Sequence, residues 1–428
     1  MPEAPPLKIA LVGLGTVGSG VAKILSQQPE RTAARAGRRL EIARVCVRDA
    51  SKPRGVELPG VPVGTDPVAA AREPGTDCVA ELIGGTTVAG DVVLAALESG
   101  KDVVTANKAL IAERGPELFA AARRAGRCIA FEAAVAGGVP VVAALTQALT
   151  GNQVTSIEAI LNGTSNYILS RMLSDGMGYA ECVADAQELG YAEADPSMDV
   201  DGTDAAQKLT ILSHLAFGSR VTPDRFVRQG IDSLTYADLA AAAELGYRVK
   251  LLAVARLDGG RLEMHVQPTL LRDTEPVAKV DGPLNIVALQ GDAVGPLWLA
   301  GPGAGQMPTA SAVVADLVDV ATGRAAATFA AMPSGEGGPE LMPASDVRRR
   351  YYLRLTIDDR PSVLSSIAAT LGGESISINS VLQSEGSGQD AAQVPLVIMT
   401  HPTTESRIQA AREKLTWDHV CLPVQDHA

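Results

Sequence analysis

The stretch from Lys8 to Leu25, KIALVGLGTVGSGVAKIL, decides the fold of the first part of the chain. Residues 8–13 are mostly apolar and typical of a buried strand, and residues 16–26 have the spacing of a helix. Between them lies GLGTVG (13–18), which has the pattern G-x-G-x-x-G. This pattern is informative where it follows a strand and opens a helix, and both conditions are met here.

Each glycine of this motif has a separate physical role. Gly13 permits a tight turn, Gly15 lets the backbone approach a pyrophosphate, and Gly18 lets the helix pack closely on the strand. The free N–H groups at the start of the helix then face the phosphates. The motif therefore predicts a dinucleotide site. The alternative is a glycine-rich turn that binds no ligand.

Strands and helices alternate as far as residue 138. Strand-like runs lie at 40–47, 78–83, 101–104 and 127–131, and helical patterns at 90–98 and 109–125. Because this alternation is typical of a parallel sheet covered on both faces, we expect an α/β fold with a doubly wound Rossmann domain over residues 1–138.

Four further segments follow. Residues 139–308 mix helices and strands and predict a mixed α+β domain that binds substrate. Residues 309–332 predict a helix that returns to the nucleotide-binding domain, and residues 333–348, rich in Pro, Gly and Ser, predict a linker. The order β-α-β-β-α in residues 349–428 predicts a small ferredoxin-like domain.

Composition excludes several classes of function. The chain has 428 residues, 37 Lys plus Arg against 49 Asp plus Glu, a net charge of −12 and 3% aromatic residues. An acidic chain with few aromatic side chains is a poor binder of nucleic acid. Five scattered cysteines without C-x-x-C argue against disulfides and zinc and for a reducing compartment. Without a signal peptide or a long apolar segment, we expect a cytoplasmic protein with no membrane partner.

Charged residues at the end of the second predicted strand bear on the choice of dinucleotide. An acid such as Asp49 at this place suits the ribose hydroxyls of NAD, whereas Arg48 suits a 2′-phosphate. Because Lys52 and Arg54 follow, we favour NADP(H) and keep NAD(H) open. A solvated cluster of charges is the alternative.

Thr105-Ala106-Asn107-Lys108 stands at the carboxyl end of another predicted strand. Ligands of open α/β sheets bind at that edge, where Lys108 would approach a nicotinamide and a reacting carbonyl. Asn107 alternatively caps the helix that begins near residue 109. The spacing alone does not separate these two interpretations.

Five carboxylates precede one lysine between residues 193 and 208. Asp204 and Lys208 are four residues apart and share a helix face. Carboxylates also suit a substrate that carries an ammonium group. A calcium loop is excluded because the ligand order and the closing Glu are missing. A solvated acidic turn remains the alternative.

Several motifs together resemble homoserine dehydrogenase, from about residue 7 to about residue 415. In chain order they are GLGTVG, ELIGG (81–85), TANKAL (105–110), EAAVAGGVP (132–140), LNGTSNYIL (161–169), GYAEADPSMDVDGTDAAQKL (190–209) and GAGQMPTASAVVADL (303–317). The segment YYLRLTIDDRPSVLSSIA (351–368) resembles the ACT regulatory domain of the longer bacterial form.

The resemblance implies a reaction and the residues that perform it. The family reduces L-aspartate 4-semialdehyde to L-homoserine with NAD(P)H, on the route to threonine, methionine and isoleucine. By this resemblance Lys208 is the proton donor and Lys108 lies beside the cofactor and the reacting centre. Glu193 matches the acid that binds substrate, and Asp199 and Asp204 match the acids that orient the amine and Lys208.

The resemblance also implies further ligands. Cofactor contacts match Thr16, Val17, Arg48, Thr105 and Gly305. A site for a monovalent cation, Na⁺ or K⁺, largely formed by backbone carbonyls, matches Glu132, Val135, Gly137 and Val139. The family implies a homodimer or homotetramer, and the ACT domain implies an amino-acid effector such as threonine.

Two departures from the family pattern and two rival functions remain open. TTVA follows ELIGG where the family often has an acid and a proline, and Ser362 stands where ACT domains often have glycine. The rivals are another ACT-bearing dehydrogenase and a sensor that binds nucleotide and amino acid without turnover. The segment 193–208 argues against the first.

Overall fold

The structure is a computed structural model that describes residues 4–335, 337–343, 345–383 and 393–425. Its first part contains β1 (Leu7–Val12), α1 (Thr16–Gln27), α2 (Pro29–Ala36), β2 (Leu40–Cys46), β3 (Val63–Gly64), α3 (Pro67–Ala71), β4 (Cys78–Glu81), α4 (Thr87–Glu98), β5 (Asp102–Thr105), α5 (Lys108–Ala125), β6 (Ile129–Ala130) and α6 (Val141–Ala143). Helix α6 continues as a π-helical turn over Ala144–Ala148.

The middle of the chain mixes both kinds of element. It contains β7 (Val154–Ile160), α7 (Gly163–Asp175), α8 (Tyr179–Glu188), α9 (Ser197–Val200), α10 (Thr203–Phe217), β8 (Val227–Arg228), α11 (Tyr236–Glu244), β9 (Tyr247–Asp258), β10 (Arg261–Arg272), β11 (Leu284–Gly291), β12 (Gly295–Pro302), α12 (Gln306–Thr322) and α13 (Arg324–Ala331).

The last part contains β13 (Arg348–Asp358), α14 (Val363–Gly373), β14 (Ile378–Gln383), β15 (Gln393–Thr400), β16 (Thr403–Thr404), α15 (Glu405–Lys414) and β17 (His419–Val424). The long elements follow the order β-α-β-β-α-β. Sequence patterns predicted the first five of these six and missed β17.

The chain folds into two compact units. Unit 1 comprises residues 1–157, 206–225 and 285–339, and unit 2 comprises residues 158–205, 226–284 and 340–428. The boundaries at 138/139, 308/309, 332/333 and 348/349 stay a prediction.

A six-stranded parallel sheet forms the core of unit 1, in the order β3-β2-β1-β4-β5-β6. Strand β1 lies at its centre. Its side chains Ile9, Leu11 and Val12 are fully buried, as expected of a strand that is covered on both faces. Strands β2 and β3 lie on one side of β1, and strands β4, β5 and β6 lie on the other. The strand order therefore reverses at β1, and the ligands of open α/β sheets bind at such a switch point. The predicted Rossmann sheet is confirmed.

Helix α12 packs against α1 within unit 1. A Cβ atom added to Gly20 would lie 2.8 Å from Cβ of Ala310 and 2.9 Å from the carbonyl oxygen of Gln306. Nζ of Lys23 donates to Oε1 of Gln306 over 3.3 Å. The glycine therefore permits a close helix crossing, which holds the amino-terminal turn of α12 near α1.

Antiparallel strands dominate unit 2. Strands β9 and β10 pair over their whole length, from Arg261↔Asp258 to Arg272↔Tyr247. Strand β17 pairs with β10 in parallel, and β13, β15 and β14 then follow, each antiparallel to the strand before it. Helices α14 and α15 contribute Ile367, Leu371 and Ile408 to one buried apolar cluster with these strands. The predicted mixed second domain is confirmed.

Two further expectations meet the structure here. None of the helices within the described ranges is both long and apolar enough to cross a membrane. All five cysteines are buried and free.

Candidate active site

The glycines of the first motif adopt the three conformations that their roles require. Gly13 has φ +105°, and a Cβ atom there would lie 2.5 Å from the carbonyl oxygen of Leu82. A Cβ atom at Gly18 would lie 2.1 Å from the carbonyl oxygen of Gly13. Gly15, in contrast, is exposed and has no neighbour within 4 Å. Two glycines therefore serve packing, and one leaves open space.

That open space lies at the amino terminus of α1. Gly15 occupies the N-cap position and offers no side chain to the first backbone N–H groups. Thr16 is exposed and Val17 is half-buried. The first turn of α1 carries no acid. Unsatisfied N–H groups and the positive end of the helix dipole favour a pyrophosphate here.

A cleft of about 590 Å³ opens beside the same turn, and its lining includes Leu14, Lys52 and Arg54. Arg48 and Asp49 are exposed at its edge, after the end of β2. The Asp49 carboxylate accepts the N–H group of Ser51 over 2.9 Å and its hydroxyl over 2.6 Å, which lowers the pKa of Asp49. The cationic residues Lys52 and Arg54 therefore line this cleft, and the carboxylate of the neighbouring Asp49 is already hydrogen-bonded to Ser51.

A buried acid organises the neighbouring strand ends. Glu81, at the end of β4, is fully buried, and its Oε2 accepts the hydroxyl of Thr105 over 2.7 Å. Its Oε1 accepts the N–H of Ile83 over 2.9 Å. The side chain of Asn107 donates to the carbonyl oxygen of Gly85 over 2.7 Å. Sequence reasoning assigned no role to Glu81, although the ELIGG motif contains it.

Asn107 caps the helix as one of the two interpretations of this segment predicted, and the place of Lys108 beside a cofactor stays a prediction. Its Oδ1 caps α5 by accepting the N–H of Leu110 over 3.1 Å, and its backbone N–H donates to Thr105 over 3.0 Å. Lys108 is therefore the first residue of α5, half-buried, beside the carboxyl ends of β4 and β5. The cap fixes the point from which its side chain departs.

The acidic segment is exposed at Glu193 and Asp195, as expected of a solvated turn, and becomes more buried towards Asp204. It contains the short helix α9, and its Asp199 is half-buried. Asp204, in the first turn of α10, is 4% exposed. Nδ2 of Asn162 donates to Oδ1 of Asp199 over 2.7 Å and to Oδ2 of Asp204 over 2.8 Å. One amide thus joins two of the predicted acids.

Lys208 and Glu193 differ in their surroundings. Lys208 lies one turn after Asp204 on α10 and is 8% exposed. Glu193 is exposed, and its backbone carbonyl oxygen accepts a hydrogen bond from Nε2 of Gln187 over 3.1 Å. A nearly buried ammonium group and a buried carboxylate therefore share one face of α10.

The two helices that carry the lysines pack together within unit 1. Ile111 and Ile211, each three residues after its lysine, line the same cavity of about 60 Å³. Further along the same helices, the rings of Phe119 and His214 stack with their centroids 5.7 Å apart. Burial lowers the pKa of His214.

The residues predicted for a cation lie in a turn with unusual backbone geometry. Ala136 and Gly137 have φ +54° and +46°, and the N–H of Val139 donates to the carbonyl of Ala136 over 2.9 Å. A Cβ atom at Gly137 would lie 2.6 Å from the carbonyl oxygen of Gly303. The backbone carbonyl groups of Val135, Gly137 and Val139 are hard oxygen donors of the kind that suits Na⁺ or K⁺, and that of Val139 also accepts the N–H of Val141 over 2.8 Å.

Glu132 supports the same turn. Its carboxylate accepts the N–H groups of Val142 over 2.9 Å and Ala143 over 2.7 Å, at the start of α6. Burial raises the pKa of Glu132 to about 7, and burial also raises that of Asp316. Both acids line a cavity of about 230 Å³. Among the described residues no group of three or more His, Cys, Asp and Glu could hold a metal, so the candidate site depends on backbone carbonyls.

Comparisons with known proteins agree along nearly the whole chain. Residues 13–132 match the model of the homoserine dehydrogenase NAD-binding domain, and residues 140–318 match the homoserine dehydrogenase model. The chain belongs to the homoserine dehydrogenase family. It is accordingly an NAD(P)-dependent oxidoreductase, and the predicted family and enzyme class are confirmed.

Individual relatives support this membership. The homoserine dehydrogenase of Pseudomonas aeruginosa is 44% identical over 95% of this chain and 94% of its own length. A crystal structure of a homoserine dehydrogenase from Thiobacillus denitrificans has 43% identity and a TM-score of 0.91, and it covers 99% of both chains. A hyperthermophilic archaeal homoserine dehydrogenase in complex with NADPH has 27% identity and a TM-score of 0.63 over 74% of this chain and 97% of its own.

The structure brings several predicted residues of the homoserine dehydrogenase site into local groups. Gly13, Gly15 and Gly18 form one turn after β1. Thr105 ends β5, which is separated from β1 by β4, and Lys108 begins the helix after it. Gly305 has φ +112° and caps α12, which packs on α1. Their roles in binding and catalysis stay predictions, as do those of the acids and of Lys208.

Proposed function

We propose that this chain catalyses the NAD(P)H-dependent reduction of L-aspartate 4-semialdehyde to L-homoserine, with Lys208 as the proton donor. The observation that carries the proposal is the nearly buried Lys208, one turn after the buried Asp204 on α10. The semialdehyde needs a proton on its oxygen when its carbon is reduced, and an ammonium group placed there first stabilises the negative charge and then neutralises it.

The site has the parts that a nicotinamide dinucleotide requires. When bound, this cofactor supplies the two electrons and the hydrogen that the aldehyde carbon receives. Gly15, Thr16 and Val17 offer open N–H groups to its pyrophosphate, and Gly305 opens a second helix terminus near α1. Thr105 and Lys108 lie at the carboxyl edge of the sheet, where the nicotinamide end would reach.

NADP(H) is the proposed form of the cofactor. Arg48 is exposed beside the cleft that Lys52 and Arg54 line, and a 2′-phosphate would meet their positive charge. The carboxylate of Asp49 is already hydrogen-bonded to Ser51. The complex of the archaeal relative with NADPH is consistent with this choice.

The acids have complementary roles in this mechanism. Glu193 and Asp199 bind the ammonium group of the substrate and fix its orientation. Asp204 holds the side chain of Lys208 towards the reacting oxygen, since the two residues share a helix face. Lys108 adds a second positive charge near the reacting carbonyl. Charges fixed in a site that excludes water stabilise the transition state more than mobile ones do.

An assay of the purified protein tests the proposed reaction. With saturating aspartate semialdehyde, we expect loss of absorbance at 340 nm, a property of reduced nicotinamide, and a higher kcat/KM with NADPH than with NADH. The same experiment with threonine tests the effector, and succinate semialdehyde is the control for recognition of the ammonium group. Binding of NADPH without any absorbance loss would favour the sensor and reject our proposal.

A monovalent cation is part of the proposal, and it gives a second prediction. The carbonyl groups of Val135, Gly137 and Val139 with the carboxylate of Glu132 would hold Na⁺ or K⁺. At constant ionic strength in tetramethylammonium chloride, added Na⁺ or K⁺ should raise both the rate and the melting temperature with saturation. A ligand at 100 times its Kd stabilises a fold by about 2.7 kcal/mol. Equal rates and melting temperatures in all three salts would contradict the site.

We also propose that residues 349–428 form an ACT domain that takes an amino-acid effector. The order β-α-β-β-α-β supports it. Ser362 has φ +74° at the N-cap of α14, so the backbone keeps a conformation that favours glycine. Arg354 of this module forms a buried ion pair with Asp238, which belongs to the capping box of α11. Helix α11 packs on α7, which begins one residue after Asn162, so this contact offers a route from effector to substrate.

The remaining parts of the proposal concern the state of the protein in the cell. Five buried free cysteines support a cytoplasmic location, because disulfides are rare there. We propose a homodimer or homotetramer with no nucleic acid or membrane partner. Light scattering of the purified protein measures the oligomeric state.

A further inference from the structure

A single buried amide group lies between two acids of the candidate site, and neither the family models nor the sequence motifs assign it a role. Asn162 follows β7, precedes the first residue of α7, and is 4% exposed. Its Nδ2 donates to Asp199 over 2.7 Å and to Asp204 over 2.8 Å. Its Oδ1 accepts the backbone N–H of Ser165 over 2.8 Å. Both N–H groups of this amide and its oxygen atom therefore take part in hydrogen bonds.

The two acceptors of this amide are carboxylates that would otherwise repel each other. Oδ1 of Asp199 and Oδ2 of Asp204 approach the same nitrogen atom, so they lie close together in a region with little water. Like charges at short range destabilise one another, and a shared N–H donor offsets part of this repulsion. The amide thus fixes the separation of the two acids as well as their direction.

Other side chains supply only part of this arrangement. Ser and Asp cap a helix about as well as Asn does, but Ser has one hydroxyl hydrogen and ionised Asp has none. Asp would moreover add a third negative charge beside Asp199 and Asp204. Gln has the same amide group, but its longer side chain changes where the nitrogen lies. Asparagine fits this position because its side chain directs two N–H groups at the two acids and one oxygen at the start of the helix.

Neighbouring residues hold the backbone around Asn162 in place, so the position of its side-chain amide is fixed. A Cβ atom on Gly163 would lie 2.6 Å from the carbonyl oxygen of Pro283. One turn later, Nδ2 of Asn166 donates to the carbonyl oxygen of Gly282 over 2.9 Å. The hydroxyl of Ser165 donates to the backbone carbonyl of Asp199 over 2.6 Å. Asp199 is therefore held twice, once by its carboxylate and once by its backbone.

We propose that Asn162 is a positioning residue, which holds Asp199 in the direction that binds the substrate ammonium group and Asp204 in the direction that orients Lys208. This inference rests on the proposed function. Asn162 does not touch the reacting atoms in this scheme and acts through the two acids. Because it acts on both, its loss changes both KM and kcat, whereas loss of a helix cap alone changes stability.

The variants Asn162→Ser and Asn162→Asp test the proposal. A displacement of about 1 Å in a catalytic group costs about 100-fold in rate. We therefore expect kcat/KM for aspartate semialdehyde to fall about 100-fold in Asn162→Ser, with a higher KM and a lower kcat. Asn162→Asp should fall further because of the added charge. KM for NADPH should change less than twofold. Asn162→Ser should melt near the wild-type temperature because serine still caps α7, whereas Asn162→Asp should melt at a lower temperature because it places a third carboxylate beside Asp199 and the buried Asp204.

A matched control separates positioning from capping. Asp66 caps α3 by accepting the N–H of Ala69 over 3.0 Å, and it bonds no second acid in that role. Asp66→Ala should lower the melting temperature without a change in kcat. If Asn162→Ser keeps kcat/KM within threefold of the wild type, or if Ser and Asp behave alike, the positioning role is wrong.

A structural measurement keeps this result distinct from failure of the proposed reaction. An inactive wild-type protein would reject the reaction, and crystal structures of wild type and Asn162→Ser would then decide the positioning role alone. Carboxylates of Asp199 and Asp204 that turn apart in the variant support it, and unchanged carboxylates overturn it.

Discussion

Replacing Lys208 by Gln should lower kcat for reduction of aspartate semialdehyde about 1,000-fold, within the range that general acids contribute. Glutamine is close in size to lysine but has no proton to give at neutral pH and no charge for the developing alkoxide. Since the pyrophosphate and nicotinamide positions lie on other elements, the Kd for NADPH should stay within twofold of the wild-type value. Stopped-flow measurement of NADPH oxidation and quenching of NADPH fluorescence report the two quantities separately.

The control for Lys208 is a lysine of the same chain outside the site. Lys414 is an exposed residue of α15 and forms an ion pair with Glu374. Lys414→Gln should leave kcat unchanged and should shift stability by less than about 1 kcal/mol, because exposed ion pairs contribute little. A Lys208→Gln enzyme that retains more than a tenth of wild-type kcat would show that another group delivers the proton.

The parts of this protein that the sequence predicted well are those in which local pattern and function coincide. The turn GLGTVG has its strand before it and its helix after it within the single stretch from Leu7 to Gln27, so no distant contact is needed to interpret it. The same holds for Lys208 and Asp204, whose i,i+4 spacing on one helix is a local property. Burial of both residues then confirmed that this face of α10 is not solvated.

The parts that the sequence did not reveal depend on distant contacts. Glu81 bonds Thr105, 24 residues away, and Asn162 bonds acids 37 and 42 residues away. Both residues stand inside motifs that were noticed, but a motif does not state which side chains meet. Hydrogen bonds of this kind become visible only after the strands have been placed side by side.

Two elements were missed for a different reason, which is that the local signals were present but were outweighed by other features. Helix α11 follows the N-cap residue Thr235, which forms a capping box with Asp238, and it lies directly before the long strand β9. Strand β17 contains Pro423, and proline argues against a strand with partners on both sides. In the structure β17 pairs with β13 along its length and with β10 at the single pair Leu270↔Val424, which accommodates the proline.

Gly18→Ala should have the largest effect on cofactor binding and stability together. The added Cβ atom would lie 2.1 Å from the carbonyl oxygen of Gly13, and a backbone atom does not move aside as a flexible side chain does. Overpacking of this kind costs about 3 kcal/mol or more. The turn that presents the N–H groups of α1 would shift with it, so the Kd for NADPH should rise about 100-fold. Urea unfolding and fluorescence titration measure the two changes.

Gly15→Ala is the matched change at the other glycine of the same turn, and it separates phosphate approach from packing. Gly15 has φ −81° and ψ −153°, which alanine adopts freely, and no atom lies within 4 Å of the added Cβ. Stability should therefore change by less than about 0.5 kcal/mol. The Kd for NADPH should still rise about tenfold, a loss of about 1.4 kcal/mol, because the methyl group occupies the path by which a pyrophosphate reaches the helix terminus. Unchanged affinity in Gly15→Ala would mean that no phosphate approaches this turn, and the dinucleotide would then have to bind elsewhere on the sheet edge.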